Sequence, residues 1–238
     1  MKKKVTFTGV DNKTSPTSLQ ILANRYNNNI EFGILVSKSN TDLDKVTRFP
    51  NFETIDKVLN ADLPSVSCHI CGELARHYVH TGDFSEIRDF LGQQRVDKFS
   101  RFQLNIRDYD NYNLFVIEED IHIIIQVSDA KSYQYFYQMQ ELNPNKVEAL
   151  IDYSGGKGKL GCFNYVSDGD EIFGYAGGID INNVAYILGY IEGRMESDVN
   201  YRIDMESSVR TDDWFDTSKV REICSEVEKV EDIRENMQ

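Results

Sequence analysis

The chain has 238 residues, 40% of them hydrophobic and 27% charged, with 15 glycines and 4 prolines. That balance excludes collagen-like, low-complexity and wholly disordered classes, and leaves room for one barrel-sized domain or two small ones. The net charge of −13 argues against a broad nucleic-acid surface, although backbone amides can still build a local phosphate pocket.

No segment approaches the ~20 consecutive apolar residues that a membrane span requires. The Lys2-Lys3-Lys4 start leads into a stretch too short and too polar for a signal peptide, so a cytoplasmic protein is expected. Four cysteines (Cys68, Cys71, Cys162, Cys224) are too few for a disulfide scaffold.

In chain order, the apolar periodicity predicts a strand at 5–10 and a helix at 15–26, with Ser15 as cap and Pro16 in the first turn. A strand at 30–36, a helix at 51–59, a strand at 65–71 and a helix at 84–91 after Asp83 follow. Next come a strand at 102–106, a helix near 112–119 and the clearest strand, 121–127. A helix at 132–142 ends at Asn143-Pro144, and a strand at 147–153 runs into a glycine-rich segment. The last units are a strand at 172–176, a helix at 183–192, a strand at 201–206, a helix at 217–230 and a charged tail from about 231. Eight strand-then-helix units, the sixth helix unseen, point to an α/β chain folded as a single (β/α)8 TIM barrel. A doubly wound open sheet is the alternative, weakened because no GxGxxG follows the first strand.

In a barrel, chemistry gathers at the C-terminal ends of the strands. Thr8-Gly9 closes the first strand, and Asp152 closes the sixth, ahead of Ser154-Gly155-Gly156-Lys157-Gly158-Lys159. Gly177-Gly178 closes the seventh and Glu206-Ser207-Ser208 the eighth. Paired glycines let backbone N–H groups approach an anion and the hydroxyls add donors, so these two loops predict a phosphate cradle. Cys68-His69-Ile70-Cys71 lacks a second ligand pair at finger spacing; buried strand thiols explain it and no metal site is expected. Cys162 beside the glycine loop has no visible partner to lower its pKa. Tyr133, Tyr135, Phe136 and Tyr137 read as helix packing rather than a base-stacking platform.

From 147 to 228 the order Ile151-Asp152, Gly155-Gly156-Lys157-Gly158-Lys159, Tyr175-Ala176-Gly177-Gly178-Ile179, Asn183-Val184, Asp204-Met205-Glu206-Ser207-Ser208-Val209 and Phe215-Asp216 resembles phosphoribosylanthranilate isomerases. The first half resembles them more faintly, at Val5-Thr6-Phe7-Thr8-Gly9, Phe32-Gly33-Ile34-Leu35-Val36, Arg48-Phe49 and Phe102-Gln103-Leu104-Asn105. The resemblance implies an Amadori rearrangement of a phosphoribosyl amine, a step of tryptophan biosynthesis in that family, with no cofactor or metal. Asp152 would be the general acid, Arg48 would meet the substrate carboxylate, and Gly156, Gly177, Gly178, Ser207 and Ser208 would hold the substrate. The family's general base is a cysteine where this chain has Thr8. A threonine hydroxyl has no pKa near neutrality, so weak turnover is expected unless a neighbour such as Asp11 reaches in. The alternative is a catalytically silent barrel that binds or sequesters a phosphorylated or nucleotide ligand; a purely structural module would leave the phosphate features unexplained.

Overall fold

The structure, a computed structural model, describes residues 3–26, 29–38, 47–106, 112–152, 173–194 and 200–235. Eight parallel strands form a closed barrel: β1 (Lys3–Thr8), β2 (Ile30–Val36), β3 (Val66–Cys71), β4 (Arg101–Asn105), β5 (Ile123–Val127), β6 (Val147–Ile151), β7 (Phe173–Tyr175) and β8 (Tyr201–Met205). Each pairs with the next, and β8 returns to β1, so that Val5 lies opposite Ile30 on one side and Ile203 on the other. The expected (β/α)8 architecture is present.

Strand alternation decides what lies on each side of the wall. Phe7, Ile34, Ile70, Leu104, Ile125 and Ile203 share one continuous core with residues of the covering helices. The opposite set points into the barrel and is polar on most strands. Thr6, Arg101, Ile124, Glu148, Arg202 and Asp204 border a common small void there. Ile124, Leu150 and Ala176 form a separate apolar cluster on the same side, from β5, β6 and the end of β7.

The lower interior is held by charge. Glu31 is fully buried and receives Arg101 Nη2 at 2.5 Å on Oε1 and Nε at 3.0 Å on Oε2, while Ser65 Oγ donates at 2.6 Å. Glu148 takes the other arm of Arg101 and lies 3.1 Å from Arg202 Nε. Burial opposes ionisation of Glu31, but the charge and hydrogen bonds of Arg101, joined by Arg202 and Ser65, outweigh it and hold the carboxyl well below its usual range.

Local chemistry sets the helix starts. Pro16 opens α1 (Pro16–Arg25) after Ser15, and the Asn51 side chain caps α2 (Phe52–Leu59) by accepting from Thr54 N at 2.8 Å. The helix expected at 84–91 is α4 (Ser85–Leu91); its N-cap is Phe84 rather than Asp83, which stands one residue earlier and accepts from Ser85 N at 2.8 Å. It is preceded by α3 (Glu73–Thr81), which the sequence reading missed, and followed by the short α5 (Gln93–Val96). α6 (Ala130–Leu142) begins two residues before its expected start because Asp129 and Ser132 form a capping box. The sets continue with α7 (Val184–Glu192) and α8 (Thr217–Glu235); the latter runs through the region expected to be a tail.

The helix expected near 112–119 is not formed. Residues 112–118 carry no helical or strand pairing; Leu114 and Val116 face solvent, while Phe115 packs on the core and Ile117 is buried within it. Asn143 pins the segment by donating to Phe115 O at 2.9 Å and accepting from Ile117 N at 2.7 Å. Gly82, at φ +73°, lets Phe115 lie where any Cβ would stand, 2.5 Å from its ring. Among the described residues no helix is long and apolar enough to cross a membrane.

Candidate functional site

The C-terminal strand ends form a mouth whose floor is a chain of buried polar groups. Thr8, the last residue of β1, gives its hydroxyl proton to Asp204 Oδ1 at 2.7 Å. His69 Nε2 lies 3.5 Å from Thr8 Oγ1 and 3.0 Å from Ser67 Oγ. Opposite Thr8 in the register stands Gly33, where a Cβ would come within 2.5 Å of Thr8 Oγ1 and 2.8 Å of His69 Nε2. Glycine is thus required there by close approach. Burial pushes the His69 imidazole down to about 3. It also pushes the Asp204 carboxyl up to about 7, against the Thr8 hydrogen bond and helped by the negative charge of Glu206.

Asp152 follows β6, is 4% exposed, and accepts from Gln126 Nε2 at 2.8 Å on Oδ2. Cys71 ends β3 with its sulfur 3.3 Å from Asn105 Nδ2, and burial raises its thiol to about 11. It therefore stays protonated at neutral pH. Cys68 faces the other side of the wall and is fully buried, as the alternation required. Cys162 and Gly156 lie outside the described residues.

Arg48, between β2 and α2, donates from Nη1 to Glu206 Oε1 at 2.6 Å and from Nε to Asp213 Oδ1 at 3.1 Å. Asp213 belongs to the turn of a small hairpin, β9 (Arg210–Thr211) with β10 (Trp214–Phe215), that the sequence did not announce. Arg210 fastens this hairpin to the loop after β1: Nη1 donates to Gly9 O at 2.6 Å and Nη2 to Asp11 Oδ2 at 3.2 Å. Asp11 also accepts from Phe215 N at 2.6 Å and Thr14 Oγ1 at 3.1 Å, and is fully buried. Its oxygens are committed to that join, which corrects the expectation of Asp11 reaching into the mouth as a base.

The loops after β7 and β8 come together. Gly177 and Gly178 adopt φ +99° and +64°, and Asn183 Nδ2 holds Gly178 O at 2.8 Å as the chain turns into α7. Ser207 and Ser208 open a single 3-10 turn, Ser207–Val209. Gly178, Asp180, Ser207, Ser208, Lys219 and Glu222 contribute to the wall of a cavity of about 340 Å³. Ser208 Oγ is buried with no hydrogen-bond partner among the described residues. Lys219 Nζ is held at the site by Arg210 O, 2.5 Å away.

No family model and no curated protein matches the sequence. The structure is similar to that of monomers generated from the dimeric phosphoribosylanthranilate isomerase of Thermotoga maritima, with TM-score 0.55 and 11% identity over 94% of this chain and 98% of that one. The Pyrococcus furiosus enzyme gives TM-score 0.53 and 13% identity over 95% and 99% of the two chains. The Thermococcus kodakaraensis enzyme gives TM-score 0.53 and 13% identity over 94% and 98%. The fold is that of the phosphoribosylanthranilate isomerases. On this isomerase-like barrel the sequence-predicted residues separate into two groups at the mouth. Gly178, Ser207 and Ser208 share the cavity wall, whereas Thr8 and Arg48 are both bound to carboxylates. Asp204 and Glu206 stood in the motifs without a role, and Asp213, Gln126 and Arg210 were missed. A usable signal for the strand residues among them was present: a polar residue at every second position of a strand, as in Arg202-Asp204-Glu206, marks an inward face rather than a solvent-facing one.

The raised Asp204 carboxyl makes stability depend on pH. Below the unfolded pKa of 3.8 both states are protonated and there is no penalty. As pH rises towards about 7 the unfolded chain ionises while folded Asp204 resists, and on the order of 4 kcal/mol is lost by pH 8. Asp204→Asn keeps an acceptor for Thr8 without the charge. It is expected to be more stable than wild type by about 1–3 kcal/mol in urea at pH 8, with the difference vanishing by pH 4. A difference independent of pH would contradict the assignment.

Proposed function

We propose that the protein takes a phosphorylated sugar amine across its mouth, the phosphate on the loops after β7 and β8, and isomerises it by an Amadori rearrangement with Asp152 as general acid. The observation that carries the phosphate half is Ser208 Oγ, a buried hydroxyl without a partner among the described residues, in a cavity that also includes Gly178, Ser207 and Lys219. A buried donor left unsatisfied costs about 1–3 kcal/mol, and a phosphate oxygen would remove that penalty. The fold likeness and the motif order both support this polarity of the site.

Asp152 would protonate the ring oxygen of the ribosyl amine, breaking its bond to C1 and leaving a protonated imine. Loss of the C2 proton then gives an enolamine that tautomerises to the ketose. Gln126 would orient Asp152 through their 2.8 Å hydrogen bond. The C2 step is poorly served, because a threonine hydroxyl, even one that donates to Asp204, has no pKa near neutrality with which to hold the C2 proton. That shortfall favours a second reading, a barrel that binds the ligand without turnover. An assay of the isomerisation of N-(5-phosphoribosyl)aniline beside that of phosphoribosylanthranilate, with a thermal shift by ribose 5-phosphate, separates the two. Turnover that falls at least 100-fold in Asp152→Asn is the expected result for the enzyme. A ribose 5-phosphate shift with no turnover supports the silent binder, and neither signal refutes both.

A further inference from the structure

We infer that the ligand's amine end carries no carboxylate and is neutral or cationic, and that Glu206 enforces this choice; the inference rests on the phosphate end lying on the loops after β7 and β8. Arg48, which the resemblance to phosphoribosylanthranilate isomerases would set against a substrate carboxylate, is already bracketed by two. Glu206 Oε1 stands 2.6 Å from its Nη1 and Asp213 Oδ1 3.1 Å from its Nε.

The pairing extends. Asp213 Oδ1 is also 3.3 Å from Arg210 Nε, and Arg210 Nη2 is 3.2 Å from Asp11 Oδ2. Among the described residues the connected cluster therefore holds two guanidinium groups against three carboxylates. Among the described residues, Lys13 lies 3.7 Å over the Trp214 ring, and Lys38 is 2.9 Å from Glu86. An incoming carboxylate must displace Glu206 from Arg48 or sit beside it, and like charges at that range oppose binding. An amine nitrogen, or the protonated imine of the open-chain form, meets the opposite field. The cradle offers an anion the Ser208 hydroxyl and Lys219, on a wall that also includes Asp180 and Glu222. Glu206 thus acts as a repulsive element that sets specificity, a role attractive contacts alone do not fill.

The test uses two stable secondary amines, 1-anilino-1-deoxyribitol 5-phosphate and its 2-carboxyanilino counterpart, with ribitol 5-phosphate as reference, all by calorimetry on the full chain. Wild type is expected to bind the carboxylate-free compound at least 10-fold more tightly. In Glu206→Gln, which frees one face of Arg48, that ratio should shrink to below 3-fold or reverse. Asp213→Asn should move it in the same direction. Equal or tighter wild-type binding of the carboxylated compound overturns the inference and leaves the phosphate reading standing. Failure of all three phosphate esters to bind removes the phosphate reading, and the inference with it.

Discussion

Gly178→Val is expected to weaken binding of ribose 5-phosphate more than 100-fold. Gly178 sits at φ +64°, where a β-branched residue is strained by roughly 1–2 kcal/mol or more, so the backbone of the cradle would have to move. The new side chain would also occupy wall space that a phosphate needs. Ser208→Ala separates chemistry from backbone geometry. It removes one hydrogen bond to a charged oxygen, for an expected loss of about 10- to 100-fold. A calorimetric titration of both variants, with melting curves to confirm folding, checks the pair. Unchanged affinity in Gly178→Val would place the phosphate elsewhere.

Glu31→Gln is expected to cost about 3–5 kcal/mol of global stability, measured by urea unfolding at pH 7. The glutamine keeps the size of the side chain but leaves Arg101 and Arg202 with Glu148 as the carboxylate they still pair with among the described residues. The loss follows from stranding buried positive charge rather than from the pair's own worth. Wild-type Glu31, held below its unfolded pKa, contributes stability that is present above that value and disappears as pH falls through the folded one. Acid should therefore narrow the gap between variant and wild type. A loss below 1 kcal/mol at pH 7 would show that the interior tolerates the imbalance.

The barrel was legible because each strand sends Val, Ile, Leu or Phe at alternate positions to the helical shell, as Phe32, Ile34 and Val36 do in β2. Strand ends were less legible, since the inward residues there are polar and resemble turn residues. The 112–119 segment misled for a tertiary reason. Tyr112, Phe115 and Glu119 stand at helical spacing, yet the backbone partners that decide the conformation belong to Asn143 and to Val79, whose carbonyl receives Asn113 N at 3.1 Å.

At the site, Gly178 and Ser208 could be found because glycine pairs and hydroxyls after successive strands are local signals. The binding of Arg48 to Glu206 could not, since 158 residues separate them and nothing near either one marks the pairing. The same distance in sequence hid the commitment of Thr8 to Asp204.

The join between the loop after β1 and the hairpin after β8 has a consequence for the order in which the molecule comes together. The contacts of Thr8 with Asp204, Gly9 and Asp11 with Arg210, and Asp11 with Phe215 span 196 to 204 residues. Closing loops of that length costs the most chain entropy before any contact repays it, so these contacts form late. During synthesis the loop after β1 must wait for the 204 residues that separate Asp11 from Phe215 before Asp11 can be buried with both of its distant partners. The growing chain therefore carries an open seam with an exposed acidic group until the hairpin after β8 arrives.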